Sequence, residues 1–249
     1  MKSKPMRIFF SLFFVVALAT FSCKKDNYNP PLPNPPNLYS SNCFILSEQN
    51  DTIRTEYEYS VSNKLLSINT YFNDVLYEKI SYIYQSNFVT VTSSQNPYIY
   101  KYFLNRKGLA DSVAITYVGN IYLKKYFVFD GNGLPLQITT RGNVISQPYE
   151  EITYNEYVNN NIVKSRTIID GVESITSFEY YLDSVNTLGA TNQAKSFIRQ
   201  GNNLLKKVLY DDDSFLEYTY TKDEKGNWLV STLNQNDEIV QNTLNLSCN

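Results

Sequence analysis

The 249-residue chain has 22 basic and 24 acidic residues, and its many aromatic residues include 22 tyrosines but no histidine. Because the chain has no histidine, it lacks the commonest general base. Ser-His and Cys-His arrangements and the usual zinc sites are therefore excluded. The negative balance argues against a sequence-independent nucleic-acid binder, because such proteins gain affinity by neutralising phosphates.

The N-terminus begins with a short apolar segment. Residues 8–21, IFFSLFFVVALATF, carry no charge and follow Lys2, Lys4 and Arg7. A membrane-spanning helix needs about 20 apolar residues, whereas a basic start, a shorter apolar run and a small residue before the cut are typical of an export signal. We therefore predict that residues 1–22 are a signal peptide cleaved after Ser22. Cleavage at another site and retention as a short anchor remain open at this point.

The junction between Ser22 and Cys23 resembles a bacterial lipoprotein signal, in which a small residue precedes the cysteine that becomes the lipidated first residue. The following residues 24–26, KKD, resemble the export tag of surface lipoproteins in the Bacteroidota. The resemblance implies a lipidated Cys23 and an outer-membrane lipoprotein of the cell envelope, periplasmic or surface-exposed. The alternative is an ordinary secreted protein with an unpaired Cys23.

Residues 23–37 then form a predicted linker. The stretch DNYNPPLPNPPN has five prolines and no apolar periodicity, which favours an extended polyproline-like spacer. At about 3.1 Å per residue, this spacer would be roughly 40 Å long. Removal of residues 1–22 leaves 19 basic and 24 acidic residues, so the mature chain is more acidic than the precursor.

Residues 38–249 are predicted to form a single all-β domain. In RTEYEYSV, Tyr57, Tyr59 and Val61 alternate with polar residues, the period of a strand with one buried face. The same alternation recurs in YIYKYFL, LKKYFVFD and FLEYTYTKD, with Lys125 interrupting the apolar face of the second. Turn signals rich in asparagine, which tolerates left-handed conformations, separate these runs. We expect an antiparallel meander of Tyr-rich β-hairpins that forms a curved sheet, open or partly closed on itself.

The hairpins form a degenerate repeat in which an aromatic strand leads through a polar turn to an aliphatic strand. Its copies are YEYSVSNKLLSIN, YKYFLNRKGLADSVAI, YFVFDGNGLPLQIT, YNEYVNNNIVKSRTI and YTYTKDEKGNWLVSTL, and the pattern is best seen in YFVFDGNGLPLQIT. This pattern resembles the YD-type, RHS-like hairpin repeat. With the lipoprotein start and Cys43, it is similar to a family of uncharacterised Bacteroidota envelope lipoproteins built of such hairpins. The resemblance runs from Cys43 to the C-terminus and implies an antiparallel all-β body with no established activity.

Two cysteines flank the predicted domain, Cys43 near its start and Cys248 near its end. In an oxidising compartment such a pair most simply forms a disulfide. Closing so long a loop would stabilise the fold by roughly 5 kcal/mol. Two buried free thiols are the alternative.

One segment breaks the strand pattern. Residues 183–203, DSVNTLGATNQAKSFIRQGNN, show neither clean alternation nor a long helical stripe, although NQAKSFIRQ could form a short helix. Long loops on rigid scaffolds often carry binding residues. The segment is therefore either a binding loop or a plug that closes one end of the sheet.

Carboxylates are the remaining candidates for catalysis. They occur as Glu150 with Glu151, as the run 211–213, and as Asp223 with Glu224. A glycosidase needs two carboxyl groups about 5 to 9 Å apart across a cleft, but adjacent residues on a strand point to opposite faces. We predict no catalytic residues, no metal site and no cofactor.

Binding is the favoured function class. Tyr218, Tyr220 and Trp228 are candidate binding residues because their rings could stack on sugars or pack against a protein. Ordinary cross-strand packing is the alternative for each of them. We predict a lipid-anchored cell-envelope protein that is a binding or structural module for a glycan or a partner protein, with no nucleic-acid partner. The alternative function is a carboxylate-dependent polysaccharide hydrolase.

Overall fold

A computed structural model describes residues 43–144, 147–186, 195, 201–224 and 227–248. The described residues belong to one compact unit, Leu32–Asn249. The predicted signal peptide, Cys23 and the linker up to residue 37 lie outside the described residues. No helix among the described residues is long and apolar enough to cross a membrane.

The described part of the chain is built of β-strands, and each strand pairs antiparallel with the next. The strands are β1 Cys43–Gln49, β2 Ile53–Tyr59, β3 Leu65–Phe72, β4 Val75–Tyr84, β5 Phe88–Ser93, β6 Tyr98–Leu104, β7 Ala110–Tyr117, β8 Asn120–Phe129, β9 Pro135–Val144, β10 Gln147–Val158, β11 Asn161–Ile169, β12 Val172–Val185, β13 Asn203–Tyr210, β14 Phe215–Lys222, β15 Trp228–Asn234 and β16 Ile239–Cys248. The predicted antiparallel all-β meander is therefore confirmed.

The sheet closes fully on itself, which corrects the expectation of an open or partly closed sheet. Strand β1 pairs with β16, with Cys43 opposite Cys248 and Gln49 opposite Thr243, and the sixteen strands form a closed barrel. Closure removes the two unpaired edges that an open meander would expose. Alternation in a sequence specifies which face of a strand is buried, but closure depends on strand number and shear summed around the whole sheet.

Tight two-residue turns join the two strands of several hairpins. Both central residues have positive φ at Asn73–Asp74, Val118–Gly119, Asn159–Asn160 and Asp170–Gly171, as type I′ turns require. The prediction that asparagine adopts left-handed conformations in the turns is confirmed. Among these turn residues, Val118 has a strained backbone, because a β-branched residue is disfavoured at a φ of 49°.

A longer turn with one recurring geometry joins the two strands of other hairpins. The turn with the sequence DGNGL is one example. The Asp130 Oδ1 accepts hydrogen bonds from the backbone N–H of Asn132 and Leu134, while the Gly133 N–H donates to the Asp130 carbonyl. Asn105 and Asn234 accept equivalent hydrogen bonds in their own turns. One turn geometry thus recurs in several hairpins of the barrel.

The two ends of the barrel differ in packing. The chain enters at Cys43 and leaves at Cys248, and these residues are register partners, so both lie at one end, here called the closed end. The inward residues Leu65, Val89 and Leu204 lie there, and each has 1% exposure or less. The opposite end, called the open end, leaves the inward residues Phe72 and Val172 more than half exposed. These inward residues are therefore less exposed at the closed end than at the open end.

Two apolar clusters lie inside the barrel. The larger joins Tyr57, Tyr82 and Val91 with aliphatic residues of β1, β3, β5 and β7. The smaller contains Leu204, Tyr220, Trp228 and Leu244. Leu246 packs against both, so the core continues across the seam where β16 meets β1.

Candidate functional site at the open end of the barrel

A row of polar side chains crosses the inner wall on three neighbouring strands. Lys125 on β8 lies opposite Thr140 on β9, and Thr140 lies opposite Glu151 on β10. Lys125 also lies opposite the buried Val113 on β7, which fixes the row on the inner face. We call Lys125, Thr140 and Glu151 the inner polar row.

Two members of this row have unsatisfied hydrogen-bonding groups. The Lys125 Nζ and the Thr140 Oγ1 are buried and make no hydrogen bond with any described residue. Burial lowers the pKa of the Lys125 ammonium to about 8, and the nearby Glu151 carboxylate opposes this shift. A buried polar group without a partner costs about 1–3 kcal/mol. Such a cost is unusual in folded proteins and calls for an explanation.

The third member, Glu151, is held by a tyrosine on its own strand. The Tyr149 hydroxyl donates a hydrogen bond of 2.5 Å to the Glu151 Oε2. Burial, followed by this hydrogen bond and the charge of Glu151, raises the pKa of Tyr149. Tyr149 therefore stays protonated at neutral pH and orients the carboxylate as a hydrogen-bond acceptor.

Three tyrosines lie beside the polar row, nearer the open end. The Tyr98 ring on β6 lies 5.1 Å from the Tyr117 ring on β7 and 5.5 Å from the Tyr122 ring on β8, measured between centroids. Tyr122 precedes Lys125 by three residues, or roughly 10 Å along the strand. We call these residues the tyrosine trio. The tyrosine trio therefore lies toward the open end, and the unsatisfied polar groups of the inner polar row lie deeper inside the barrel.

Gly142 allows strands β8 and β9 to approach each other closely. It lies opposite Leu123 on β8, and a Cβ at this position would collide with the Tyr122 carbonyl oxygen and lie 2.9 Å from the Leu123 Cα. The absence of a side chain therefore permits the close approach of β8 and β9 between the tyrosine trio and the inner polar row.

A second charged cluster inside the barrel involves the segment that breaks the strand pattern. The Lys195 Nζ donates a hydrogen bond of 2.7 Å to the Tyr57 hydroxyl, and that hydroxyl donates to the Glu48 Oε1. Burial lowers the pKa of Lys195, while Glu48 opposes the shift. The contact of Lys195 with a core tyrosine favours the plug interpretation. The neighbouring residues 187–194 and 196–200 lie outside the described residues.

The predicted binding residues Tyr218, Tyr220 and Trp228 lie on β14 and β15, away from the strands of the inner polar row. Tyr220 and Trp228 are each 6% exposed and belong to the smaller apolar cluster. The Tyr220 hydroxyl donates to the Leu205 carbonyl at 2.9 Å, and the Tyr218 carbonyl accepts from the Tyr181 hydroxyl. The structure gives these residues packing roles, and their binding role stays a prediction.

The flanking cysteines meet at the seam of the barrel. Cys43 is 1% exposed and disulfide-bonded, and its register partner on β16 is Cys248. The side chain of Cys248 lies outside the description, so the Cys43–Cys248 disulfide stays a prediction. The lipidation predicted for Cys23 also stays a prediction.

The carboxylates considered for catalysis are not brought together in one site. Glu151 faces inward, whereas Glu150 accepts a 2.5 Å ion-pair hydrogen bond from the Arg141 Nε on the outer face. Asp213 lies in the turn between β13 and β14, and Asp223 accepts from the Asn227 N–H within its own turn. Among the described residues, no group of His, Cys, Asp or Glu could hold a metal ion.

The sequence contained one signal for this site. Lys125 interrupts an otherwise apolar face, and in the structure it is the buried cation of the inner polar row. Thr140 and Glu151 lie in other hairpins and gave no such signal, because cross-strand register alone brings them beside Lys125.

No family model and no curated protein matches the chain. A solved porin-like protein from Bacteroides uniformis has a TM-score of 0.57 and 15% identity, covering 87% of this chain and 99% of the other. A porin-like protein from Bacteroides vulgatus has a TM-score of 0.51 and 10% identity, covering 83% and 98%. At these identities the likeness concerns the fold alone. The chain is therefore similar in barrel fold to these porin-like proteins over nearly their whole length.

Proposed function

We propose that the protein is a lipid-anchored cell-envelope module whose barrel stands outside the bilayer and binds a neutral carbohydrate at its open end. The observation that carries this proposal is the inner polar row beside the tyrosine trio. Ligand sites commonly combine aromatic walls with a few well-placed polar groups, and a sugar offers both apolar ring faces and hydroxyl groups.

The charges of the row favour a neutral, hydroxyl-rich ligand. The Lys125 ammonium can only donate hydrogen bonds, the Glu151 carboxylate can only accept them, and Thr140 can do both. A sugar hydroxyl can donate a hydrogen bond to or accept one from each of these groups. The opposite charges of Lys125 and Glu151 cancel, so the ligand needs no net charge. Because the Lys125 Nζ is covered in the free protein, we expect its side chain to turn toward the open end when the ligand enters.

The outer face behind the row supports a barrel surrounded by water. The outward residues Lys101, Ala114, Lys124, Arg141 and Glu150 follow one another in register across five neighbouring strands. A lysine or arginine facing lipid costs about 2–4 kcal/mol at the bilayer midplane. The four charged members of this row are therefore poorly suited to contact with the bilayer midplane.

The envelope location rests on two observations. The N-terminal segment resembles a lipoprotein signal, and the described structural neighbours are named porin-like. In this proposal the lipid on Cys23 supplies the membrane attachment. The chain enters the barrel at Cys43, which belongs to the closed end.

The anchor is tested by replacing Cys23 with Ser in the full chain expressed in an envelope-bearing host. We expect the variant to move from the membrane fraction to the soluble fraction. Membrane retention of the variant would contradict the lipid anchor without affecting the carbohydrate proposal.

The carbohydrate site is tested by calorimetric titration of the full chain with neutral oligosaccharides of glucose, mannose and galactose. Lys125→Met should weaken binding at least about tenfold, since a hydrogen bond to a charged group contributes about 1.5–3 kcal/mol. Tyr98→Ala should weaken binding by removing a ring. The matched control is Lys124→Met, which changes the outward neighbour on the same strand and should leave affinity unchanged. Absence of binding, or equal affinity for the Lys125 and Lys124 variants, would refute the site.

A further inference from the structure

A cavity with a volume of about 330 Å³ lies between the ends of two neighbouring hairpins. Because β1 begins at the closed end and successive strands alternate in direction, the connections after even-numbered strands lie at this end. One side of the cavity comes from the connection after β6, including Arg106, Lys107 and Leu109, and the other from the end of β8 and its connection, including Phe129 and Asp130. All of these residues line one continuous space, which we call the closed-end cavity, and its volume lies within the range of small-molecule sites.

Most of the lining is apolar. Leu109 is buried, and the Phe129 ring stacks on the Phe127 ring with 6.0 Å between their centroids. Gly133 has no side chain, and a Cβ at this position would lie 2.9 Å from the Leu109 Cδ1, so the two hairpin ends are in contact there. The cavity therefore offers a ligand one aliphatic and one aromatic surface.

Two cationic side chains line the same cavity. Arg106 and Lys107 are exposed, and neither forms an ion pair with a residue that the structure describes. Asp130 is the acid of the lining, and its Oδ1 already accepts hydrogen bonds from the backbone N–H of Asn132 and Leu134. The lining therefore has an excess of positive charge that its own carboxylate does not pair.

We infer that the closed-end cavity binds a small aromatic carboxylate. The planar guanidinium of Arg106 can bind a carboxylate through two parallel hydrogen bonds, and Lys107 adds a second positive charge. The aromatic body of the ligand packs against Phe129 and Leu109, where ring faces and edges attract each other. The cavity shares no residue with the inner polar row or the tyrosine trio, so this inference does not depend on the carbohydrate proposal.

The combination of charge and apolar surface decides between classes of ligand. A simple inorganic anion would pair with Arg106 and Lys107 but would leave the apolar lining in contact with water. A neutral apolar ligand would cover the lining but would leave both cations unpaired. An anion with an aromatic body satisfies both parts of the cavity.

The probe is 2-naphthoate, and 2-naphthamide is its match in shape without the charge. Binding to the full chain in nonionic detergent is measured by calorimetric titration at about 50 mM salt, where exposed charges are only partly screened, with the detergent alone as the blank. We expect 2-naphthoate to bind at least about tenfold more tightly, because hydrogen bonds between ionised partners are about twice as strong as neutral ones.

Variants separate the contributions of the charge and the ring. The combined change Arg106→Gln and Lys107→Gln should weaken 2-naphthoate binding at least about tenfold and leave 2-naphthamide binding unchanged. Phe129→Leu should weaken the binding of both ligands by removing the aromatic surface. The matched control is Lys64→Gln, which removes the cation of another connection at the closed end, placed over the Tyr84 ring, and should leave both affinities unchanged.

Several results would overturn the inference. They are equal affinity for the two ligands, unchanged 2-naphthoate affinity in the variant of Arg106 and Lys107, and the same loss in the Lys64 control. Inorganic phosphate that displaces 2-naphthoate at equal concentration would show that charge alone is recognised, and the aromatic carboxylate would then be the wrong class of ligand.

Discussion

Replacing Lys125 with Met tests whether an ammonium group is buried inside the barrel. The side chain is 8% exposed, its Nζ has no hydrogen-bond partner among the described residues, and methionine fills a similar volume without the charge. In the free protein, the variant should therefore remove an electrostatic cost while keeping most of the packing.

The size and sign of that cost follow from the pKa. Burial lowers the pKa of Lys125 from its ordinary 10.5 to about 8 in the folded state. Between these values the unfolded chain binds more protons than the folded one, so stability rises with pH across this window. The cost of the charged group is about 3 kcal/mol at pH 7 and falls to about 1 kcal/mol at pH 9.5.

The assay is urea unfolding of the full chain at pH 7 and at pH 9.5, comparing the wild type with Lys125→Met. The unfolding free energy of the wild type should gain about 2 kcal/mol relative to the variant between the two pH values. The window stops at pH 9.5 because tyrosines, including Tyr149 beside Glu151, begin to titrate in the unfolded chain above it. The comparison with the variant cancels what these groups contribute to both proteins.

Lys124→Met is the matched control. Lys124 is the exposed outward neighbour, and its replacement should shift stability equally at both pH values. If the difference between the wild type and Lys125→Met also stays constant within about 0.5 kcal/mol, the ammonium is not buried as described. The reasoning behind the inner polar row would then fail.

Three further predictions concern the barrel wall, one turn and the seam. Gly142→Ala should lower the unfolding free energy by about 1–3 kcal/mol, because the new Cβ meets the backbone of Tyr122; an unchanged urea midpoint would contradict this close approach. Val118→Asn should raise the unfolding free energy by about 1 kcal/mol, since asparagine tolerates the positive φ at this turn; a lower midpoint would show that Val118 is not strained. Mass spectrometry of the unreduced protein should recover a peptide linking Cys43 with Cys248, and free thiols at both positions would exclude that disulfide.

The faces of the strands could be predicted from the sequence where the alternation is clean. Tyr57 and Tyr59 were placed on the buried face, and Tyr57 is a core residue. The repeat template was less reliable, because it treated Tyr126 as equivalent to Tyr57. Tyr126 is exposed on the outer face, while its neighbour Phe127 packs against the core. A shift of one residue in a strand moves every side chain to the other face.

The candidate site was only partly predictable. Lys125 was visible as an interruption of an apolar face, but a lysine on a strand gives no sign of whether its environment is dry. Tyr220 and Trp228 were predicted as binding residues from their aromatic character, yet they are buried in a core cluster. Aromatic rings suit both packing and binding, and only the surrounding strands decide which role is open to them.

The sequence by itself determined the strands, the left-handed turns and the position of the cation, because these depend on alternation and on neighbouring residues along the chain. The tertiary structure decided that the sheet closes through β1 and β16, and that Lys125, Thr140 and Glu151 lie side by side. These features depend on register summed over sixteen strands, and hydrogen bonds between distant parts of the chain set that register.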